Sequence, residues 1–275
     1  MPRPPRPGAL ILSPSAIEKL SGCEARWLYR RKADVAAAQE SPGRPLVLGS
    51  AVGEGLEEYH NGGRRGPGLV YARLAVMDMA RREAGWEEKW NLPDPYPTAL
   101  WMLDRYDQWY HRAGAERYEM LNTEVPFEHT MAPGVWVQGY LDGVARYRGG
   151  LWVVEYKTSG KMDRFQGLEY ELQPWVYMAG MRRIGVEIVG VLYEYGYTVE
   201  YKTDQPVEKT WHRKEVPYDA GLLAHYEEIA RKAGERALAL EAETLEPAKH
   251  VSANCRWCPY LGPCLRPGRD EFVVA

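Results

Sequence analysis

The chain has 275 residues, 45% of them hydrophobic and 27% charged, with a formal net charge of −3. These values describe an ordinary soluble globular protein of one large or two small domains, and its near-neutral charge supplies no global basic field for nucleic acid, although a local groove can still be basic. No segment approaches the ~18 uninterrupted apolar residues of a membrane span, and the apolar run from Ala9 to Leu12 is shorter than the roughly 7 residues of a signal-peptide core, so the expected compartment is the reducing cytoplasm.

Residues 1–12, rich in Pro and Arg, are expected to form a flexible tail. Ser13-Pro14-Ser15 then offers helix-start chemistry, with Ser15 and Glu18 spaced as a capping box and Pro14 suited to the entry. Ile17, Leu20, Trp27 and Leu28 supply the apolar positions of this helix, with a break expected at Gly22. Leu46 to His60, residues 71–90 and residues 98–114 read as further helices, the last two separated by the breaker NLPDPYP. Residues 13–115 therefore form a helical N-terminal subdomain.

From residue 116 the texture changes. Glu119–Glu128, Val135–Arg146 and Leu151–Thr158 alternate with period 2 and are rich in β-branched and aromatic residues, as strands are. A helix over 164–183, strands over 186–197 and 207–216, and a helix over 219–241 follow. The order predicts a mixed α/β domain over 116–245, with a cysteine tail over 246–275.

Gly149-Gly150 signals a hairpin. A two-residue turn there pairs Arg148 with Leu151, sets Asp142 opposite Lys157, and makes Asp142 and Glu155 diagonal neighbours about 7–8 Å apart. Glu155 and Lys157 share a strand face because they are two residues apart. Two carboxylates and an ammonium on one face suit Mg2+ or Mn2+ and phosphate chemistry. A solvent-facing ladder of ion pairs is the rival reading. The apolar Leu141, Val153 and Val154 beside these residues argue instead for central strands.

The four cysteines read as one metal-cluster site. Cys255, Cys258 and Cys264 form a C-x2-C-x5-C run, and Cys23 lies more than two hundred residues upstream. In a reducing compartment such a set favours metal over disulfide, and it departs from the paired C-x2-C spacing of common zinc sites. Four thiolates suit a [4Fe–4S] cluster and also accept zinc. A cross-link closing a loop this long would destabilise the unfolded chain by up to about 5 kcal/mol.

These motifs resemble the PD-(D/E)XK nucleases of the RecB-like group, particularly its iron–sulfur branch, which includes CRISPR-adaptation exonucleases, AddB-type recombination nucleases and phage relatives. GYLDGV resembles the family's G-x-x-D motif, VVEYKTS its E-x-K motif and ELQPWVYMAG its Q-x3-Y motif. LSPSAIEKLSGCEARWLYRRK is similar to the usual opening and CRWCPYLGPC to the closing cysteine run. The resemblance implies a restriction-endonuclease-like core, a central mixed β-sheet flanked by helices, whose Fe–S tail closes onto Cys23. It implies Mg2+ or Mn2+ held by Asp142, Glu155 and the backbone carbonyl of Tyr156, with Lys157 as the catalytic lysine. Gln173 and Tyr177, four apart on one helix face, would support the site and the DNA strand, and Cys23, Cys255, Cys258 and Cys264 would hold a [4Fe–4S] cluster. The implied activity is a DNA exonuclease on single strands or ends, with recombination, replication or CRISPR-adaptation proteins as partners.

One departure stands out. LGSAVGEGLEEYH is similar to the family's first motif, where a histidine ligand is common, but this chain has Gly53 there. Glu57 and His60 lie one and two turns further along the same helix face, so Glu57 is the substitute candidate and Glu54 is expected to point elsewhere. A solvated helix face is the rival reading of both glutamates, and a catalytically weak or inactive DNA-binding adaptor is the rival function. Arg26, Arg30, Arg31 and Lys32, interleaved with Trp27 and Tyr29, are candidate DNA contacts; Arg64, Arg65, Arg81 and Arg82 are weaker ones. Each basic group also reads as a plain solvated face.

Overall fold

The computed structural model describes residues 9–31, 43–62, 68–112, 116–198 and 206–265. They belong to two compact units that interleave along the chain rather than follow one another. The larger unit comprises Pro42–Pro126 and Tyr140–Asp219, and the smaller the N-terminal segment to Ser41, Phe127–Gly139 and the C-terminal segment from Ala220. Strands β2 (Glu119–Ala132) and β3 (Val135–Tyr147) each pass from one unit to the other. Lys32, Arg64 and Arg65 lie outside the described residues.

In the larger unit, helices α3 (Arg44–Gly62), α4 (Gly68–Arg82), α5 (Trp86–Trp90) and α6 (Tyr96–Arg112) precede the strands. The helix expected over 71–90 is thus two helices, broken where Gly85 takes a left-handed φ of 83°. Next come β4 (Gly150–Ser159), α7 (Leu172–Arg183), β5 (Ile188–Tyr197) and β6 (Trp211–Pro217). The helix expected from 164 begins only at Leu172, preceded by two short 3-10 turns. The sixth strand begins at Trp211, after a further 3-10 turn.

β4 lies between an antiparallel β3 and a parallel β5, and β6 closes antiparallel on β5. The parallel β4–β5 pair requires a crossover, which α7 supplies. Leu48, Val52, Leu56 and Tyr59, spaced at helical period, turn the buried face of α3 toward α4, α6 and the sheet; with Val76, Met102, Leu103, Tyr106, Val154, Leu192 and Trp211 they form one core. α3 approaches α6 closely at Gly55, where a Cβ would stand 2.6 Å from a Leu103 methyl. Leu141, Val153 and Val154 are fully buried, as central strands require.

The hairpin register differs from the expected one. Tyr147 pairs with Gly150 and Arg146 with Leu151, so the turn residues are Arg148 and Gly149. Both take left-handed φ, 47° and 79°, the conformation of a type I′ turn, which suits the twist of flanking strands. The register slips by two residues, not one. Because side chains alternate with period 2, every residue keeps its face.

The smaller unit contains β1 (Leu10–Leu12), α1 (Pro14–Gly22), α2 (Glu24–Arg31), α8 (Ala220–Glu241) and α9 (Leu261–Leu265). Part of the segment expected as a flexible tail is therefore β1, which pairs parallel with β3, Leu10 beside Val135; Leu12 is 1% exposed. The α1 cap is Ser13, whose Oγ accepts the amide of Ala16 at 3.2 Å, rather than Ser15. α1 ends at Gly22, and Cys23 is its extended C-cap. α8 approaches β3 through Gly234, where a Cβ would lie 2.9 Å from Val135 Cγ1. Glu24 accepts both Nε and Nη2 of Arg236, at 2.7 and 2.8 Å, and the amide of Ala248 at 2.7 Å, tying α2 to the C-terminal segment. No helix among the described residues is long and apolar enough to cross a membrane.

Candidate active site

A cavity of about 760 Å3 opens in the larger unit between α3 and strands β2, β3 and β4. Five carboxylates and one ammonium line it: Glu54 and Glu57 from α3, Glu124 from β2, Asp142 from β3, and Glu155 and Lys157 from β4. Gln173, at the start of α7, completes the wall beside Lys157.

The observed register pairs Gly143 with Val154, so Asp142 and Glu155 are the next residues on their strands. Asp142 therefore faces Glu155 and not Lys157. Its Oδ2 accepts the amide of Tyr156 at 2.7 Å. Lys157 Nζ donates to Glu155 Oε1 at 2.7 Å and to Gln173 Oε1 at 2.5 Å. Gln173 Nε2 donates in turn to the hydroxyl of the buried Tyr177, one turn along α7. The four groups form a chain that fixes the ammonium.

The electrostatics follow from burial and crowding. Burial first, and then the neighbouring Glu155, push the Asp142 carboxyl well above the usual range; the Tyr156 amide and Lys157 oppose this. Burial also raises Glu155, with Lys157 opposing. For Lys157 burial works against the charge, but Glu155, Glu171 and Asp142 outweigh it and hold its pKa above the ordinary value. Glu57 is pushed up to about 7 by burial and by Glu124, Glu54 and Glu58.

Oxygen donors in this number suit a hard divalent cation. Among the described residues no three of His, Cys, Asp or Glu are already gathered at ligating geometry; the acids are spread around the cavity. The fit rests on Glu155, which is 4% exposed and whose Oε2 is buried with no hydrogen-bond partner. An orphaned carboxylate oxygen in a cavity lined by four more carboxylates calls for a positive partner.

The middle and last turns of α3 depart from expectation in two ways. Glu54 lines the cavity together with Glu57 instead of pointing away, because the wall follows the 53–54–57 edge of the helix. His60 does not reach the cavity. Its ring sits among those of Tyr59, Tyr106, Tyr110, Tyr118 and Tyr156. At Gly53 an added Cβ would meet nothing within 4 Å, so the position opens into space. Glu124 was missed by the sequence reading. It lies in a strand without a motif, and only the fold brings it to Asp142 and Glu155.

The cysteines all belong to the smaller unit. Cys23, Cys255 and Cys258 line one cavity of about 390 Å3 with Lys19, Arg26 and His250. Burial raises the Cys264 thiol, Lys249 opposes this, and Cys23, Cys258 and Cys255 raise it further. Cys264 is thus within electrostatic reach of the other three cysteines, although among the described residues no three of them are gathered at ligating geometry.

Arg26 and Arg30 are exposed. Arg31 instead pairs with Glu241 and lies 5.1 Å over the buried Trp27 ring, and Arg81 and Arg82 both pair with Asp78. Tyr29 lies beside Tyr260, ring centroids 6.1 Å apart.

Residues 11–265 match the model of the PD-(D/E)XK nuclease superfamily. A crystal structure from Eubacterium rectale, of a protein named as a candidate exonuclease, is similar at 14% identity, over 90% of this chain and 87% of that chain, with a TM-score of 0.54. This likeness concerns the fold. The crystal structure of SSO0001 is 16% identical over 70% of this chain and 84% of that chain, with a TM-score of 0.36, too low to carry an argument. No curated protein matches the sequence.

Proposed function

The chain belongs to the PD-(D/E)XK nuclease superfamily, and from that membership we propose that it is a Mg2+- or Mn2+-dependent DNA exonuclease acting on single strands or DNA ends, of the RecB-like iron–sulfur branch. The observation that carries the reading is the buried Oε2 of Glu155, which has no hydrogen-bond partner, in a residue that lines the cavity together with Asp142. Asp142, Glu155 and the backbone carbonyl of Tyr156 would hold the cation, with Glu57 in place of the family's histidine. A divalent cation there supplies Lewis-acid polarisation of a phosphate oxygen and a more acidic bound water. Lys157 keeps its proton, so it acts by charge and by donating hydrogen bonds, orienting the water or neutralising charge on the phosphate. Gln173 and Tyr177 hold the ammonium in place.

The test is cleavage of end-labelled single-stranded DNA with Mg2+ and with Mn2+. Cleavage abolished by EDTA and by Asp142→Ala supports the reading, and full activity of Asp142→Ala overturns the site. Gly53 favours a second reading, a DNA-binding adaptor with a thinned ligand set; binding without cleavage in either metal would establish it.

Cys23, Cys255, Cys258 and Cys264 would hold a structural [4Fe–4S] cluster in the smaller unit. Anaerobic purification tests this: iron and sulfide in the protein, lost in Cys23→Ser, support it, whereas a colourless zinc-loaded protein removes it.

A further inference from the structure

The larger unit holds a buried ion pair outside the cavity lining. Glu194 on β5 is fully buried and paired with Arg213 on β6. Arg213 Nε donates to Glu194 Oε1 at 2.9 Å. The other carboxylate oxygen, Oε2, accepts the hydroxyls of Tyr106 at 2.6 Å and Tyr118 at 3.0 Å. Beyond these hydroxyls lie His60 Nε2, 2.8 Å from Tyr106 Oη and 3.2 Å from Tyr118 Oη, and Tyr156 Oη, 3.3 Å from Tyr118 Oη.

Counting donors gives this network one direction. Each hydroxyl has a single hydrogen. Tyr106 and Tyr118 spend theirs on Glu194, so both must act as acceptors toward their outer neighbours. His60 therefore carries its proton on Nε2 and donates it, and Tyr156 donates to Tyr118. Burial, with a smaller contribution from Arg213, pushes the His60 pKa down to about 3, in keeping with a neutral ring. Both Glu194 oxygens and all three tyrosine hydroxyls have partners, and the His60 Nε2 proton is shared between Tyr106 and Tyr118; a satisfied buried network of this kind rigidifies a core.

The outer ends of the network are the informative part. His60 stands three residues after Glu57 on α3, and Tyr156 stands between Glu155 and Lys157 on β4. The network thus links α3 and β4, two of the elements that line the cavity. Burial first, and then neighbouring carboxylates, raise Glu57 and Glu124, and Glu124 on β2 is repelled both by Glu54 of α3 and by Glu155 of β4. We infer that His60, Tyr118 and Tyr156, anchored on Glu194–Arg213, are positioning residues that hold α3 against β4 at the separation a bound cation needs. The inference deepens the nuclease reading, because it takes the cavity to be the cation site.

The experiment is Mn2+ binding by titration calorimetry on Tyr118→Phe and Tyr156→Phe, run beside cleavage kinetics and thermal unfolding. Each variant removes one hydroxyl and keeps the ring. Removal of an outer-shell hydrogen bond of this kind raises a metal dissociation constant by about 10–100-fold, and that rise with a fall in kcat is the expected result. Tyr59→Phe is the control, since its hydroxyl bonds Asp107 and His111 outside the network; it leaves the Mn2+ constant unchanged. A lower melting temperature with unchanged Mn2+ affinity and kcat in both variants overturns the inference and leaves the network a core element only. The calorimetry also separates the two readings: a wild-type protein that binds Mn2+ but does not cleave fails as a nuclease while the positioning role is still measured.

Discussion

Asp142 spends one carboxylate oxygen on the backbone amide of Tyr156, at 2.7 Å, so the acid that faces the cavity also pins the strand carrying Glu155 and Lys157. The side chain has both a structural and a chemical part. Asp142→Asn keeps an oxygen acceptor for the amide and removes the charge. It is expected to unfold close to the wild-type temperature and to lose at least about a hundredfold in cleavage. A melting temperature lowered as far as that of Asp142→Ala would show that the amide bond depends on the charge.

Lys157 Nζ donates to Glu155 Oε1. Removing the ammonium frees that oxygen and takes away a competing positive charge. Lys157→Met is expected to abolish cleavage while Mn2+ binds at least as tightly as in the wild type. Loss of Mn2+ binding in this variant would mean that Lys157 builds the ligand set rather than acting on the phosphate.

Gly53 lies inside α3 and opens into space. Glycine in a helix interior costs about 0.5–1 kcal/mol relative to alanine, so Gly53→Ala is expected to raise the unfolding free energy by that much. Gly53→His should fold and place an imidazole at the cavity edge, lowering the metal concentration needed for half-maximal cleavage. An unchanged metal midpoint would indicate that Glu57 already fills the role.

The neutral His60 makes the larger unit sensitive to acid. Its folded pKa of about 3 lies below the ordinary 6.5, so on acidification the unfolded chain takes up a proton that the folded chain refuses. This contribution is present in full above about pH 6.5 and is lost as pH falls toward 3, at up to about 1.4 kcal/mol per pH unit. The raised pKa values of Asp142 and Glu155 act in the opposite direction. The measurement is therefore the difference in unfolding free energy between wild type and His60→Gln from pH 7 to 4, which should shrink with acidification. A constant difference would remove the titration argument.

The gathering of Asp142, Glu155 and Lys157 on one face was legible in the sequence, because strand side chains alternate with period 2 and a hairpin signal stood between the two runs. The same property protected that conclusion when the register slipped by two. Gln173 and Tyr177 were legible as a pair on one helix face, since four residues make about one turn, and the local spacing of Cys255, Cys258 and Cys264 needed no fold to be seen.

The tertiary structure alone decided the rest. The turn residues Arg148 and Gly149 set the register, and so placed Asp142 opposite Glu155. Packing of α3 through Gly55 onto Leu103 turned Glu54 and Glu57 into the cavity and His60 away from it. Glu124 joined the acids from a strand with no motif, and Tyr118, Tyr156 and Glu194 met from positions 118, 156 and 194. Sequence periodicity specifies which side of an element a residue occupies. Which residues from distant elements meet depends on how those elements pack, and that is set by the whole core rather than by any local stretch of it.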